Sequence, residues 1–176
     1  VISLGGIVAS RSLRVAGDQL NDDIIQIDRD EHNLLLGERT AEEIKILIGS
    51  AAPLAEPLTA AMRGRDLVTG LPKEIMITDD EIRGAMRKSI TTIVEAVKAT
   101  IEETPPELVA DIMDRGIVLA GGGALLRGLD QILGLATETS VRIADDPLTC
   151  VVRGTGIVLE DLDALRRTGA GMLIEY

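Results

Sequence analysis

At 176 residues, with 45% hydrophobic and 27% charged side chains, the chain is long enough for one substantial core or two small lobes and too apolar for disorder. A net charge of −11 without any long Lys/Arg run excludes a nucleic-acid footprint, and Tyr176 as the sole aromatic excludes a base-stacking platform. The single cysteine, Cys150, excludes an internal disulfide, the single histidine, His32, excludes with it the usual Cys/His zinc site, and no apolar run approaches the roughly 18 residues of a membrane span.

The chain opens at Val1, inside an apolar run and without Met, which predicts a cut rather than a natural start. Val1–Leu4, then Gly5-Gly6, then residues 7–15 predict a β-hairpin with a two-residue turn at the glycine pair. Asp18 is placed to cap a helix whose stripe of Leu20, Ile24, Ile25 and Ile27 runs to about His32. His32 then lies at that helix's C-terminus, where positive charge is favoured.

Leu34-Leu35-Leu36-Gly37 leads into a helix from Glu38 that Gly49 ends. Glu42 and Lys45 share one face of it. Two roles fit that spacing: a surface ion pair contributing a few tenths of a kcal/mol, or a carboxylate and an ammonium turned together toward a ligand. Residues 50–58 are small and Pro-containing and predict an exposed loop. Two strands, Thr59 to Val68 and Lys73 to Thr78, follow around Gly70-Leu71-Pro72, with Arg63, Arg65 and Lys73 on a solvated side.

Thr78-Asp79-Asp80-Glu81 is a capping box. It opens a long helix with Ile82, Met86, Ile90, Ile93, Val94, Val97 and Ile101 on one face. Thr104 and Pro105 predict the cap and first residue of the next helix, which Gly116 ends.

Ile117–Ala120 is a short apolar run that suits a strand covered on both faces. Gly121-Gly122-Gly123-Ala124 then turns into a helix that carries Leu125, Leu126, Leu129, Ile132 and Leu133 at helical spacing. Three residues without Cβ admit a ligand, or another backbone, at close range. A helix starting there offers unpaired N–H groups to an anion or a polar ring edge, and a tight connection with no ligand fits equally. Ser140 to Ala144 predicts a strand, and Asp146 caps a helix from about Leu148 to Leu165, with Gly154 and Gly156 letting it lie close to the sheet. Residues 166–176 form a tail.

No Gly-x-Ser-x-Gly elbow, Cys-x-x-Cys pair or Walker-type phosphate loop occurs, and no catalytic or metal-ligating residue is evident. Asp79-Asp80 and Asp145-Asp146 fit helix entries better than a metal site. The one coherent ligand-facing set is Glu42 and Lys45 with Gly121, Gly122, Gly123 and Ala124. A carboxylate accepts from ribose hydroxyls, an ammonium stem packs along a base, and glycines leave a flat slot, so the set suits a nucleoside.

Several stretches resemble the C-terminal half of the MreB family of bacterial actins. They are Ile2-Ser3-Leu4-Gly5-Gly6-Ile7-Val8, Ser10-Arg11-Ser12, Leu35-Leu36-Gly37-Glu38-Arg39-Thr40-Ala41-Glu42, Pro105-Pro106-Glu107-Leu108, Gly121 to Leu126, and Asp145-Asp146-Pro147-Leu148-Thr149-Cys150-Val151. They run in family order to about residue 165. Ala16 stands where the family usually has Gly, and Ala120 where a Thr often precedes the glycines.

The resemblance implies an α/β, actin-like ATPase fold, of which this chain would be the second domain only. Residues 1–16 and 80–165 would be its larger subdomain, and 17–79 an inserted smaller α+β subdomain. It further implies that Glu42 and Lys45 meet ribose and base, and that Gly121 to Ala124 form the adenosine loop. ATP with Mg2+ would bind in the intact parent, a filament-forming protein that directs rod-shape cell-wall synthesis in the cytoplasm at the inner face of the membrane. Both phosphate loops and the magnesium-site residues would lie in the other half, as would the membrane-binding elements, so this half alone should not hydrolyse ATP. Partners implied are further subunits through longitudinal contacts and the wall-synthesis complex. A stand-alone partner-binding or regulatory module without nucleotide stays open beside this.

Overall fold

The computed structural model describes residues 1–160. Predicted features beyond them, the last turn of the final helix to Leu165 and the tail at 166–176, lie outside the described residues.

The N-terminal hairpin forms, but it is short: β1 (Ile2–Ser3) pairs antiparallel with β2 (Gly6–Ile7). Its turn is Leu4-Gly5, one residue earlier than expected, and both turn residues have positive φ (51° and 80°). That matches the primed geometry that suits a right-twisted hairpin. Residues 8–15 carry no strand, contrary to the sequence expectation. Only Val1 continues the pairing, with Val8 donating to its carbonyl at 2.9 Å and its own ammonium donating to Ala9 O at 2.7 Å.

Helix α1 (Gly17–His32) begins at Ala16, not at a cap by Asp18, which sits in the first turn and favours the dipole there instead. Asn33 ends it in the left-handed region. Strand β3 (Leu34–Leu35), helix α2 (Glu38–Ile48), and strands β4 (Thr59–Asp66) and β5 (Pro72–Thr78) follow. The three strands form one antiparallel sheet in the order β3-β4-β5. Along β4, Ala60 and Met62 are buried while Thr59, Ala61 and Arg63 are exposed, the alternation of a sheet with one wet face.

Helix α3 (Asp79–Glu102) starts on the expected capping box. The Glu81 N–H donates to Thr78 Oγ1 at 3.3 Å, and the Thr78 N–H donates to Glu81 Oε2 at 2.9 Å. Its apolar stripe packs Ile82, Met86 and Ile90 into one core with Ile24 of α1, Ile44 and Ile48 of α2, Leu34, Met62 and Ile77 of the sheet, and Leu133 further on. Helix α4 (Pro106–Arg115) has Pro105 at the cap and Pro106 at the first position. Thr104, expected as that cap, serves the preceding helix: its hydroxyl donates to Thr100 O at 2.7 Å.

Strand β6 (Ile117–Leu119) pairs in parallel with β7 (Val141–Ile143). It is not covered on both faces as expected; Val118 is 47% exposed. After one tight helical turn (Gly122–Leu125), Leu126 is extended and α5 (Leu129–Thr137) starts three residues later than the apolar spacing indicated. Leu125 and Leu126 therefore lie outside that helix. Helix α6 (Cys150–Glu160) starts beyond Asp146, which instead belongs to the turn before it and hydrogen-bonds the Thr149 hydroxyl at 2.5 Å. Gly154 and Gly156 meet no neighbour within 4 Å, so close packing on a sheet is not their role among the described residues.

Candidate functional site

The loop at residues 50–58 was expected to be exposed, and its first part is not. Ser50, Ala51 and Ala52 are buried. They pair with the backbone of Arg127, a residue that no sequence motif marks. Arg127 O accepts from the Ala51 N–H at 2.7 Å, and Ser50 and Arg127 form a parallel bridge. The Arg127 guanidinium donates to Ile46 O at 3.0 Å and Gly49 O at 3.3 Å, two carbonyls that the end of α2 leaves without helical partners. The next residue, Gly128, has φ +74°, and a Cβ there would lie 2.6 Å from the Ala52 Cβ. The end of α2 and the segment just after the glycine turn are thus clamped together.

The clamp fixes where the sequence-predicted residues stand. Glu42 is on the exposed face of α2. Lys45, half-buried, donates to Gly17 O at 2.9 Å rather than to Glu42, so it ties α2 to the start of α1. That bond leaves its stem, and the ammonium's remaining donors, available to a ligand.

The glycine turn stands on Pro147, whose carbonyl accepts from the Gly121 N–H at 2.7 Å. Ala124 is buried beneath it. Over Gly121 and Gly123 there is open space, with nothing within 4 Å of where a Cβ would be, while a Cβ on Gly122 would touch Leu148 at 3.5 Å. Internal packing therefore does not require glycine at 123. Two grooves lie elsewhere. One of about 600 Å³ runs along α3 between Arg83 and Val94, and one of about 590 Å³ lies beside β1 and β6.

Two ionisable groups near α1 complete the local electrostatics. His32 Nε2 lies 3.6 Å from Glu81 Oε1, so the histidine links the end of α1 to the start of α3, a structural role. A bond from the Thr78 hydroxyl, with the nearby histidine adding, holds the Glu81 carboxyl below its ordinary value. Asp28 is fully buried and neither carboxylate oxygen has a partner. Burial, with Glu81 and Glu31 nearby, pushes its carboxyl up to about 7. Among the described residues no group of three His, Cys, Asp or Glu side chains could hold a metal ion, and no helix is long and apolar enough to cross a membrane.

The family model described as MreB/Mbl protein matches residues 1–167. The chain belongs to the MreB/Mbl family. It is 47% identical over 165 residues to the cell shape-determining protein Mbl of Bacillus subtilis, covering 94% of this chain and 50% of that protein. It is 48% identical over 163 residues to the cell shape-determining protein MreB of Escherichia coli, covering 93% and 47%. It thus spans about half the length of these relatives. The crystal structure of MreB5 of Spiroplasma citri bound to ADP superposes with a TM-score of 0.86 at 41% identity, over 90% of this chain and 48% of that one. The fold is the actin-like one expected of an MreB/Mbl chain.

Proposed function

We propose that this chain is the adenosine-facing half of an ATP-binding, filament-forming MreB/Mbl protein that directs cell shape. The observation that carries the proposal is the Arg127 clamp, which holds the helix of Glu42 and Lys45 against the segment leading from Gly121, Gly122, Gly123 and Ala124. The open space over Gly121 and Gly123 is the cradle that a base or ribose would fill. Glu42 accepts hydrogen bonds from ribose hydroxyls, the Lys45 stem packs along the base, and the turn's N–H groups meet polar ring edges. MreB5, similar over most of this chain, was crystallised with ADP.

In the same proposal, residues 1–16 and 80–165 form the larger subdomain and 17–79 the inserted smaller one. Phosphate-positioning loops and Mg2+ belong to the other half of a full-length protein, so hydrolysis needs both walls of the cleft. Longitudinal contacts between subunits, the wall-synthesis complex, and a cytoplasmic place at the inner membrane face are proposed of that whole protein.

Calorimetric titration with ADP and with Mg-ATP tests this. Weak ADP binding is expected, lost in Gly123→Val and weakened several-fold in Glu42→Gln, with no ATP turnover. Gly123→Val binding ADP as the unchanged chain does would overturn the site. Tight, magnesium-dependent ATP binding would overturn the division of labour between halves. No heat from either nucleotide would favour a partner-binding module.

A further inference from the structure

The groove of about 600 Å³ along α3 joins an apolar body to a cationic rim. Ala51 and Pro53 after α2, Ile90 and Val94 of α3, and Ile132 of α5 supply the apolar lining. Toward the start of α3 the lining turns polar, with Asp80, Arg83 and Arg87. Two of these charges are already matched, because the Arg83 guanidinium donates to the Asp79 and Asp80 carboxylates. Arg87 is exposed, and its guanidinium has no hydrogen bond or ion pair among the described residues. Beside them lies Gly84, where a Cβ would meet nothing within 4 Å. Glycine weakens a helix interior relative to alanine, and no packing contact requires it here. Its effect is to keep the groove open down to the helix backbone.

We propose that this groove binds a medium-chain aliphatic carboxylate. Charge complementarity fixes the orientation. The carboxylate takes a bidentate pair of N–H bonds from Arg87, and the hydrocarbon chain runs over Ile90 toward Val94 and Ile132. From Arg87 to Val94 the helix covers about 10 Å at 1.5 Å per residue, which suits a chain of medium length. The volume lies within the range of about 300–1,000 Å³ common to small-molecule sites. The floor also selects against a peptide. The one hydroxyl in the body of the groove, on Thr91, donates to Arg87 O at 2.9 Å. An extended peptide laid there would leave its own N–H and C=O groups unpaired against hydrocarbon, whereas an acyl chain has none to pair. Bound in this way, the ligand bridges α3 to the turn after α2. The site is separate from the adenosine-facing residues and needs no nucleotide.

The test is a titration of the whole chain with octanoate, decanoate and laurate, each below its micelle concentration, followed by amide nuclear magnetic resonance without nucleotide. Shifts are expected around Gly84, Arg87 and Val94. Affinity should rise about twofold for each added methylene, against about fourfold for full burial, because the groove is open to water along one side. Arg87→Gln should weaken laurate at least about fivefold and keep the dependence on chain length. Gly84→Leu fills the groove with a residue that favours helix, so it should abolish binding with the urea midpoint unchanged or raised. The proposal is overturned if laurate does not bind, if it binds either variant as it binds the unchanged chain, or if dodecyltrimethylammonium binds as tightly. Shifts at these residues from phosphatidylglycerol vesicles but not from laurate would make the occupant a membrane surface and overturn it. Tighter binding of an acidic amphipathic peptide at the same residues would make it a protein and overturn it too. Because ADP is absent throughout, failure of the adenosine site leaves this result unaffected.

Discussion

Arg127 reaches across 81 residues of sequence to donate to Ile46 O at 3.0 Å, and with that bond the end of α2 is fixed beside the glycine turn. Arg127→Ala leaves the Ile46 and Gly49 carbonyls to water. The expected cost is about 1 kcal/mol, since the contact is partly exposed. Urea unfolding measures it. A parallel ADP titration should show weaker binding, because Glu42 and Lys45 lose their fixed position.

Gly128→Ala is expected to cost more than Arg127→Ala. Its backbone sits at φ +74°, and the new methyl would lie 2.6 Å from the Ala52 Cβ, inside contact distance. A loss of about 2 kcal/mol follows from strain at a left-handed position plus a clash with buried chain. Gly123→Ala, with open space above it, should change the urea midpoint by less than about 0.5 kcal/mol equivalent. Equal effects at the two positions would contradict the packing described.

Asp28 predicts a pH dependence. Its folded carboxyl titrates at about 7, above the ordinary 3.8, so the folded state prefers the protonated form. Its contribution to stability is fully present below about 3.8 and is lost as pH rises through about 7. Asp28→Asn keeps the shape and stays neutral. The variant should therefore gain in urea midpoint relative to the parent at pH 8 and show little difference at pH 4. A constant difference across that range would contradict the buried, unpartnered placement.

Thr78→Ala removes one member of the capping box and is expected to cost about 1 kcal/mol. It also removes the leading cause of the lowered Glu81 carboxyl. Carboxylate titration by nuclear magnetic resonance should show Glu81 moving up toward its ordinary value, while Asp66 stays near 2. Asp66 is held low chiefly by the Thr69 and Val68 N–H groups, which the substitution does not touch.

The elements legible in the sequence are those whose signals are local. The capping box at Thr78 and the stripe from Ile82 to Ile101 define α3 because cap and periodicity lie within one segment. The β4–β5 hairpin shows itself by alternation. Ser50 to Ala52 read as exposed because nothing nearby in sequence reveals that the backbone of Arg127 pairs with them. Thr104 satisfies both the pattern of a cap for α4 and that of a hydroxyl closing α3, and only the observed bond to Thr100 O chooses. Leu125 and Leu126 continue an apolar period, yet Gly128 in the left-handed region delays the helix to Leu129. For the candidate site, residue types and their order were readable, whereas the residue that fixes their placement was not. Arg127 carries no motif, and its role exists only through chain that precedes it by three strands and two α-helices.

Helix α3 runs uninterrupted for 24 residues, anchored at its first turn in the antiparallel sheet and ending beside β1 and β6. At 1.5 Å per residue it is a rod of about 36 Å. A tilt of about 5° at the capped end would displace the far end by about 3 Å on that length. The helix is thus a lever arm, able to turn a small shift near Thr78 into a larger displacement of its far end beside β1 and β6.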